Sequence, residues 1–497
     1  MSVVRVFAEN RSWATCFFLG LTISTGHAPI AFWPVSLIGL TLFFGLYWLQ
    51  WPQKSSIKGA FKRGWWLGFG YFLGTLNWLV EPFLVDIAAH GWMAPFAVVV
   101  MSGSLALFWG SGMALGAVLG GRLGCTIGLG LFEVARGYLF TGFPWGLLSY
   151  IWVDTPIAQL ASYFGAYGLT VVTFGFCALF AQSFYARRKI IGLGSLLLVF
   201  LAVWIFHNTG APNHSAPENA TVIRLVQPNA PQDKKFDPKF AMDYFQRMLE
   251  FSQQTPQPDL IVWPETSLPI PFNFAADSIF QIKEASQGVP VLVGALRAKD
   301  DKIYNSLILI DPQKDAEVIY DKYHLVPFGE YLPFEDFLAK IGLGFSSDLF
   351  GTGFQHGTGP KVVNLPKVGK IFPLICYEAV FPQDVSAMPE RADVILQVTN
   401  DAWFGKFSGP YQHLAQAQMR SIEQGLPLVR VANTGVSGLI DPNGRVVKKL
   451  ELDEAGYVDV ALPKGYLSTL YSRFGHWSVF FLFICLGISN FIPRIRH

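Results

Sequence analysis

Charge is what this chain of 497 residues has least of. Asp, Glu, Lys and Arg make up 14% of it and hydrophobic residues 52%, whereas soluble globular domains are roughly a quarter charged. That balance excludes a disordered chain and points to a lipid environment. Cysteine is sparse too. Of five, only Cys376 lies within the polar stretch 208–475, so no disulfide can form inside it. His324, His356 and His413 are scattered without ligand spacing, and no metal is expected. No internal repeat or low-complexity tract occurs. The basic residues sit between apolar segments and form no nucleic-acid footprint.

Long uncharged runs dominate the remainder. Crossing the hydrocarbon core takes about 20 apolar residues, fewer where flanking side chains snorkel. Runs at 30–51, 64–80, 91–121, 155–186, 190–206 and 477–493 meet that need. Stretch 12–26 reads as an uncleaved first helix, because another apolar run follows at once. Stretch 123–140 carries Glu133 and Arg136, one helical turn apart and able to pair inside a bundle. The expectation is eight helices, seven of them before the polar block. Alternate loops carry Arg5 and Arg11; Lys54, Lys58, Lys62 and Arg63; Arg122; Arg187, Arg188 and Lys189; Arg494 and Arg496. The other short loops carry only Glu81, Asp86 and Asp154, so the positive-inside rule places both termini in the cytoplasm and 208–475 outside it.

The polar block reads as α/β. Strand-like runs occur at 221–226, 260–263, 289–296, 306–310, 371–375, 394–398, 428–431 and 458–460, with helical stretches at 238–252, 275–287 and 411–424. The expected organisation is a transmembrane domain over 1–207, a linker over 208–219 rich in Pro, Asn and Ser, an α/β domain over 220–475, and a final transmembrane helix over 476–497.

Cys376 ends the strand-like run Lys370-Ile-Phe-Pro-Leu-Ile and precedes Tyr377-Glu378. A lone cysteine is usually a buried packing residue, but one at a strand-to-helix turn is exposed to attack a substrate. It then needs a base and a positive charge. Glu265 follows a strand in Trp263-Pro-Glu-Thr-Ser, and Lys322 follows another in Tyr320-Asp-Lys-Tyr-His. Either one alone is most often a solvated surface charge.

These Pro-Glu, Lys and Cys-Tyr-Glu segments, in this order, resemble the Glu–Lys–Cys constellation of the nitrilase (carbon–nitrogen hydrolase) superfamily. Longer segments resemble its membrane-embedded apolipoprotein N-acyltransferase family. They are Trp263-Pro-Glu-Thr-Ser-Leu-Pro, Lys322-Tyr-His-Leu-Val-Pro-Phe-Gly-Glu-Tyr-Leu-Pro, Asn400-Asp-Ala-Trp-Phe-Gly, Gly409-Pro-Tyr-Gln-His and Thr141-Gly-Phe-Pro-Trp. The resemblance implies a helical membrane domain joined to an αββα nitrilase-like domain on the periplasmic side of a bacterial inner membrane. It implies transfer of an acyl chain from a phospholipid, usually phosphatidylethanolamine, through a cysteine thioester to the α-amino group of a diacylglyceryl-modified apolipoprotein, without a cofactor.

In that scheme Glu265 is the base, Lys322 the charge stabiliser and Cys376 the nucleophile, supported by Glu330, Tyr377 and Glu378. Tyr377 reads equally as a packed aromatic. The family pattern has Trp where Phe236 stands, which keeps apolar stacking but loses the indole donor. The segment 337–354, with Phe345 and Phe350 among several glycines, reads as an apolar lid dipping into the bilayer. Trp403 and Phe404 read as acyl-channel or core residues.

A membrane-anchored amidase of the same superfamily would use the same three residues, but needs neither the lid nor eight helices. A catalytically dead scaffold is opposed by the presence of all three. Transport is opposed by the scarcity of intramembrane charge. With the outer membrane permeabilised and the lid open, a membrane-impermeant maleimide is expected to label Cys376. Labelling only after the inner membrane is broken would contradict this orientation.

Overall fold

The computed structural model describes residues 12–50, 56–121, 123–185, 201, 216–333 and 353–491. They form two compact units. One comprises Met1–Asn213, Phe407–Ala415 and Ser468–His497; the other comprises His214–Lys406 and Gln416–Leu467.

The first unit is helical, with principal helices at Ser12–Ser24, Trp33–Gln50, Ile57–Thr75, Ala94–Leu119, Gly124–Tyr138, Ala161–Tyr185 and Trp477–Phe491. The stretches Ile87–Leu119 and Pro156–Ser183 are long and apolar enough to cross a membrane. The helix expected over 190–206 lies outside the described residues, apart from Leu201. Small residues set how closely the helices approach. A Cβ on Gly20 would meet Leu67 O at 2.1 Å, and one on Gly70 would meet Phe17 O at 2.0 Å. Helix association in lipid relies on such close contacts, because apolar burial gives no driving force there.

Glu133 and Arg136 do pair, at 2.6 Å and fully buried. Arg136 also donates to the backbone carbonyl of Trp145 (2.8 Å), and Trp109 donates to Glu133. The pair therefore holds the Thr141–Trp145 turn in place. Trp145 in turn donates its indole N–H to Gln412 (2.7 Å), which donates to Thr75 O (3.0 Å). Two motifs far apart in sequence thus meet in one buried polar network.

The second unit is built on two six-stranded sheets. In chain order the strands are β1 (Val222–Gln227), β2 (Leu260–Val262), β3 (Val291–Lys299), β4 (Lys302–Ile310), β5 (Glu317–Asp321), β6 (Val363–Leu365), β7 (Gly369–Ile375), β8 (Val394–Thr399), β9 (Leu428–Ala432), β10 (Ser437–Ile440), β11 (Val446–Leu450) and β12 (Gly456–Ala461). One sheet runs β12-β1-β2-β3-β4-β5 and the other β11-β10-β9-β8-β7-β6. Each has a parallel trio, β1-β2-β3 or β7-β8-β9, flanked by antiparallel strands. Strands of the parallel trios read as apolar runs because both their faces are covered.

The helix Pro238–Ser252 shows how sequence sets this covering. Asp237 caps it by accepting from Lys239 N (2.9 Å), and Pro238 opens it. Phe245, Met248, Leu249 and Ser252 then recur at helical spacing on the buried face, against Val226, Ile261 and Trp263. Strands β5, β6, β10 and β11 had no counterpart among the expected runs. β6 is three residues long, β10 reads Ser-Gly-Leu-Ile, and β5 and β11 carry charged side chains into the sheet. None offers a long β-branched run to read.

Candidate active site

The three residues expected to carry the chemistry stand at or just beyond strand ends. Cys376 follows β7 directly, Lys322 follows β5 directly, and Glu265 lies three residues beyond β2. For β2 and β7, members of the parallel trios, this is the carboxyl end where α/β sheets present ligand-binding groups.

Cys376 stands at φ +54°, in the left-handed region that L-residues avoid. This places it at the start of a tight turn, Cys376–Val380, in place of a continuing strand. Glu378 makes that turn possible. Its carboxylate accepts from Ile375 N (2.6 Å) on one oxygen, and from Tyr320 OH (2.7 Å), Tyr323 N (2.7 Å) and His324 N (3.1 Å) on the other. Three of these four donors lie in the segment that carries Lys322, so the carboxylate ties the cysteine turn to it. Tyr377 is buried and packs edge-on against Phe381, with ring centroids 4.9 Å apart. Gln397 donates to the backbone carbonyl of Cys376 (3.0 Å), and buried Arg430 donates to Gln397 (2.6 Å).

Lys322 is 1% exposed. Its Nζ lies 2.7 Å from Glu330 Oε1 and 3.6 Å from Glu265 Oε1. The other Glu330 oxygen accepts from Val326 N (2.7 Å), so Glu330 is fixed at both ends. Asn305, on β4, donates to Glu265 (2.7 Å). Burial alone would push the Lys322 ammonium down, but Glu330 and Glu265 outweigh it and hold it above its usual range. The Cys376 thiol is shifted well up, first by burial and then by Glu265. Lys322 and a hydrogen bond from Thr399 act the other way. The resting site therefore holds a neutral thiol beside a fixed ammonium.

The apolar candidates fall out differently. Phe236 is half-exposed, with its ring centroid 5.4 Å from Lys235 Nζ. Trp403 is 40% exposed and Phe404 is buried, both in the turn after β8. Phe345 and Phe350 lie outside the described residues, as does nearly all of the expected lid. Only its end is described: Phe354 N donates to the backbone carbonyl of Glu330 (2.7 Å). Sequence reasoning missed Asn305, Gln397, Thr399 and Lys235. A polar residue inside an apolar strand, as Asn305 is in β4, was the one available signal.

Residues 223–470 match the carbon–nitrogen hydrolase family, and residues 19–179 match the apolipoprotein N-acyltransferase N-terminal domain. A protein from Rhodopseudomonas palustris named apolipoprotein N-acyltransferase is 36% identical over 487 residues, covering 92% of this chain and 90% of its own. One of the same name from Sinorhizobium medicae is 35% identical over 514 residues, covering 97% and 96%. Among solved structures, a CN-hydrolase superfamily protein from Xanthomonas campestris is 20% identical with TM-score 0.36, covering 54% of this chain and 97% of that one. A nitrilase-superfamily amidase from Nesterenkonia is 18% identical with TM-score 0.38, covering 54% and 98%. The two-sheet unit has the carbon–nitrogen hydrolase fold.

Gly294 on β3 gives a test of the site's packing. A Cβ there would lie 2.5 Å from Pro264 O and 2.7 Å from Glu265 Cα, both backbone atoms that cannot swing aside. Gly294→Ala is therefore expected to displace Glu265 and to lower the acyl-transfer rate by about tenfold or more. The check is turnover measured beside thermal unfolding. Unchanged turnover would contradict the role of this contact.

Proposed function

The chain belongs to the apolipoprotein N-acyltransferase family, and from that premise we propose that it acylates the α-amino group of the diacylglyceryl-cysteine of apolipoproteins. The donor is a membrane phospholipid such as phosphatidylethanolamine. Both substrates are lipids, so the enzyme works at the membrane. Eight crossings, with both termini cytoplasmic and the two-sheet unit periplasmic, fit the alternation of basic loops.

One observation supports the mechanism: a buried ammonium, Lys322, is held by Glu330 and Glu265, and both Lys322 and Glu265 bear electrostatically on a cysteine in a left-handed turn. Glu265 takes the proton from the neutral Cys376 thiol. The thiolate attacks the donor ester carbonyl, and the oxyanion forms against Lys322 and a backbone N–H after Cys376. When this intermediate collapses, the carbonyl–oxygen bond breaks and the leaving alkoxide takes the proton from Glu265, giving lysophospholipid and an acyl thioester. The acceptor amine then yields a proton to Glu265 and attacks the thioester carbonyl. The amide forms, the carbon–sulfur bond breaks, and the thiolate recovers the proton.

Glu330 orients Lys322, and Glu378 and Tyr377 hold the cysteine turn. Phe236, Trp403, Phe404, Phe345 and Phe350 are assigned to acyl-chain contact, with 337–354 as the cover that keeps water from the thioester. An exchange of ester for thioester for amide needs no cofactor or metal.

Donor phospholipid alone should convert Cys376 to a thioester and release lysophospholipid, as read by intact-protein mass spectrometry. Cys376→Ala should lose the adduct, and Glu265→Gln should slow its formation. Varying both substrates should give parallel-line kinetics. Absence of an acyl increment, together with intersecting lines, would mean direct transfer in a ternary complex.

A further inference from the structure

A buried charge beside Glu265 has no task in the mechanism above. Lys235 follows β1 in the turn before the helix Pro238–Ser252, and it is 7% exposed. Its Nζ donates to the backbone carbonyl of Glu265 and to Thr266 Oγ1, each at 2.8 Å. Thr266 stands at φ +47°, a region that disfavours a β-branched residue. Such a conformation is strained and persists only where its surroundings enforce it. Lys235 supplies two of the bonds that enforce it, and Glu265 is the residue that the turn projects.

The charges point the same way. Glu265 and Glu330 place two carboxylates beside one ammonium, Lys322. The other acidic groups around the cysteine have partners of their own. Asp401 is paired with Arg430, and Glu378 accepts four hydrogen bonds away from Glu265. Without Lys235, the two carboxylates Glu265 and Glu330 would share the single ammonium of Lys322, one negative charge more than positive. Low-dielectric surroundings resolve such an excess by protonating a carboxylate, and a protonated Glu265 is no base.

We propose that Lys235 is a positioning residue for acyl transfer: it pins the strained turn that aims Glu265 and balances the second carboxylate, so that Glu265 stays ionised. This rests on the reading of Glu265 as the base and Cys376 as the nucleophile.

The lysine's own titration makes the idea measurable. Burial pushes its ammonium down to about 8, against the opposing pull of Glu265 and Cys376. Its charge is present below that pH and is lost as pH rises through it. The wild-type rate of thioester formation should therefore fall above pH about 8.

The experiment uses the full chain in detergent, with phosphatidylethanolamine as sole substrate. The rate of acyl addition to Cys376 is followed across that pH for wild type, Lys235→Met and Lys235→Arg, and each variant's thermal unfolding is recorded. Lys235→Met should be slower by about tenfold or more near neutral pH, and its deficit should shrink at higher pH, where the wild-type ammonium is also gone. Lys235→Arg keeps its charge and should move the alkaline fall to higher pH; this arm decides the matter if Lys235→Met fails to fold. A Lys235→Met deficit equal at every pH, or an alkaline fall unmoved in Lys235→Arg, would overturn the proposal. If wild type gives no adduct, the nucleophile reading itself fails, and the inference falls with it. An adduct on wild type with unaltered variant profiles defeats the inference alone.

Discussion

Taking a lysine ammonium out of water costs several kcal/mol unless anions surround it at close range. Lys322 is nearly inaccessible and stays charged because Glu330 lies at 2.7 Å and Glu265 at 3.6 Å. Everything around it serves that arrangement. Val326 N fixes Glu330, Asn305 fixes Glu265, and the Glu378 carboxylate ties Tyr320, Tyr323 and His324, which flank the lysine, to the cysteine turn. Removing either carboxylate would leave Lys322 with a single anion to offset its burial. The site therefore behaves as one electrostatic object, and separate contributions from its members do not add.

That object depends on how the sheets are wound. Glu265 and Lys322 come from the sheet containing β2 and β5, and Cys376 from the sheet containing β7. The parallel trios end their strands in loops free of the hydrogen-bond ladder, and there the backbone departs from ordinary conformations: Cys376 at φ +54° and Thr266 at φ +47°. Gly294 lets the Glu265 turn lie directly against β3. In the helical unit a different economy operates. Small residues permit close helix contact, and the buried Glu133–Arg136 pair anchors the Thr141–Trp145 turn.

Much of this was legible in the sequence because it was written in strong signals. Among the described residues apolar runs stood where helices form, and the pairing of Glu133 with Arg136 followed from their spacing. Pro264-Glu265 and Cys376-Tyr377-Glu378 stood at the ends of runs that do form strands. Helix 238–252 was readable from a capping aspartate, a first-turn proline and one apolar stripe. What was hidden depended on tertiary context. Lys234-Lys235 looks like a solvated pair, and nothing in the local sequence says that the second is buried behind Glu265. The resemblance singled out Glu378 as a supporting residue, but nothing local says that its hydrogen bonds reach three residues more than fifty positions away. Charged strands such as β5 and β11 gave no apolar alternation to read.

The central claim is that Lys322 acts through the placement of its ammonium as well as through its charge. Lys322→Arg separates the two, since a guanidinium keeps the charge but spreads its donors across a rigid plane. The decisive measurement is the single-turnover rate of Cys376 acylation by phospholipid in this variant, on protein shown to be folded. The account predicts a loss well beyond about tenfold. A rate within about tenfold of wild type, a barrier change of no more than ~1.4 kcal/mol, would contradict a direct role for Lys322.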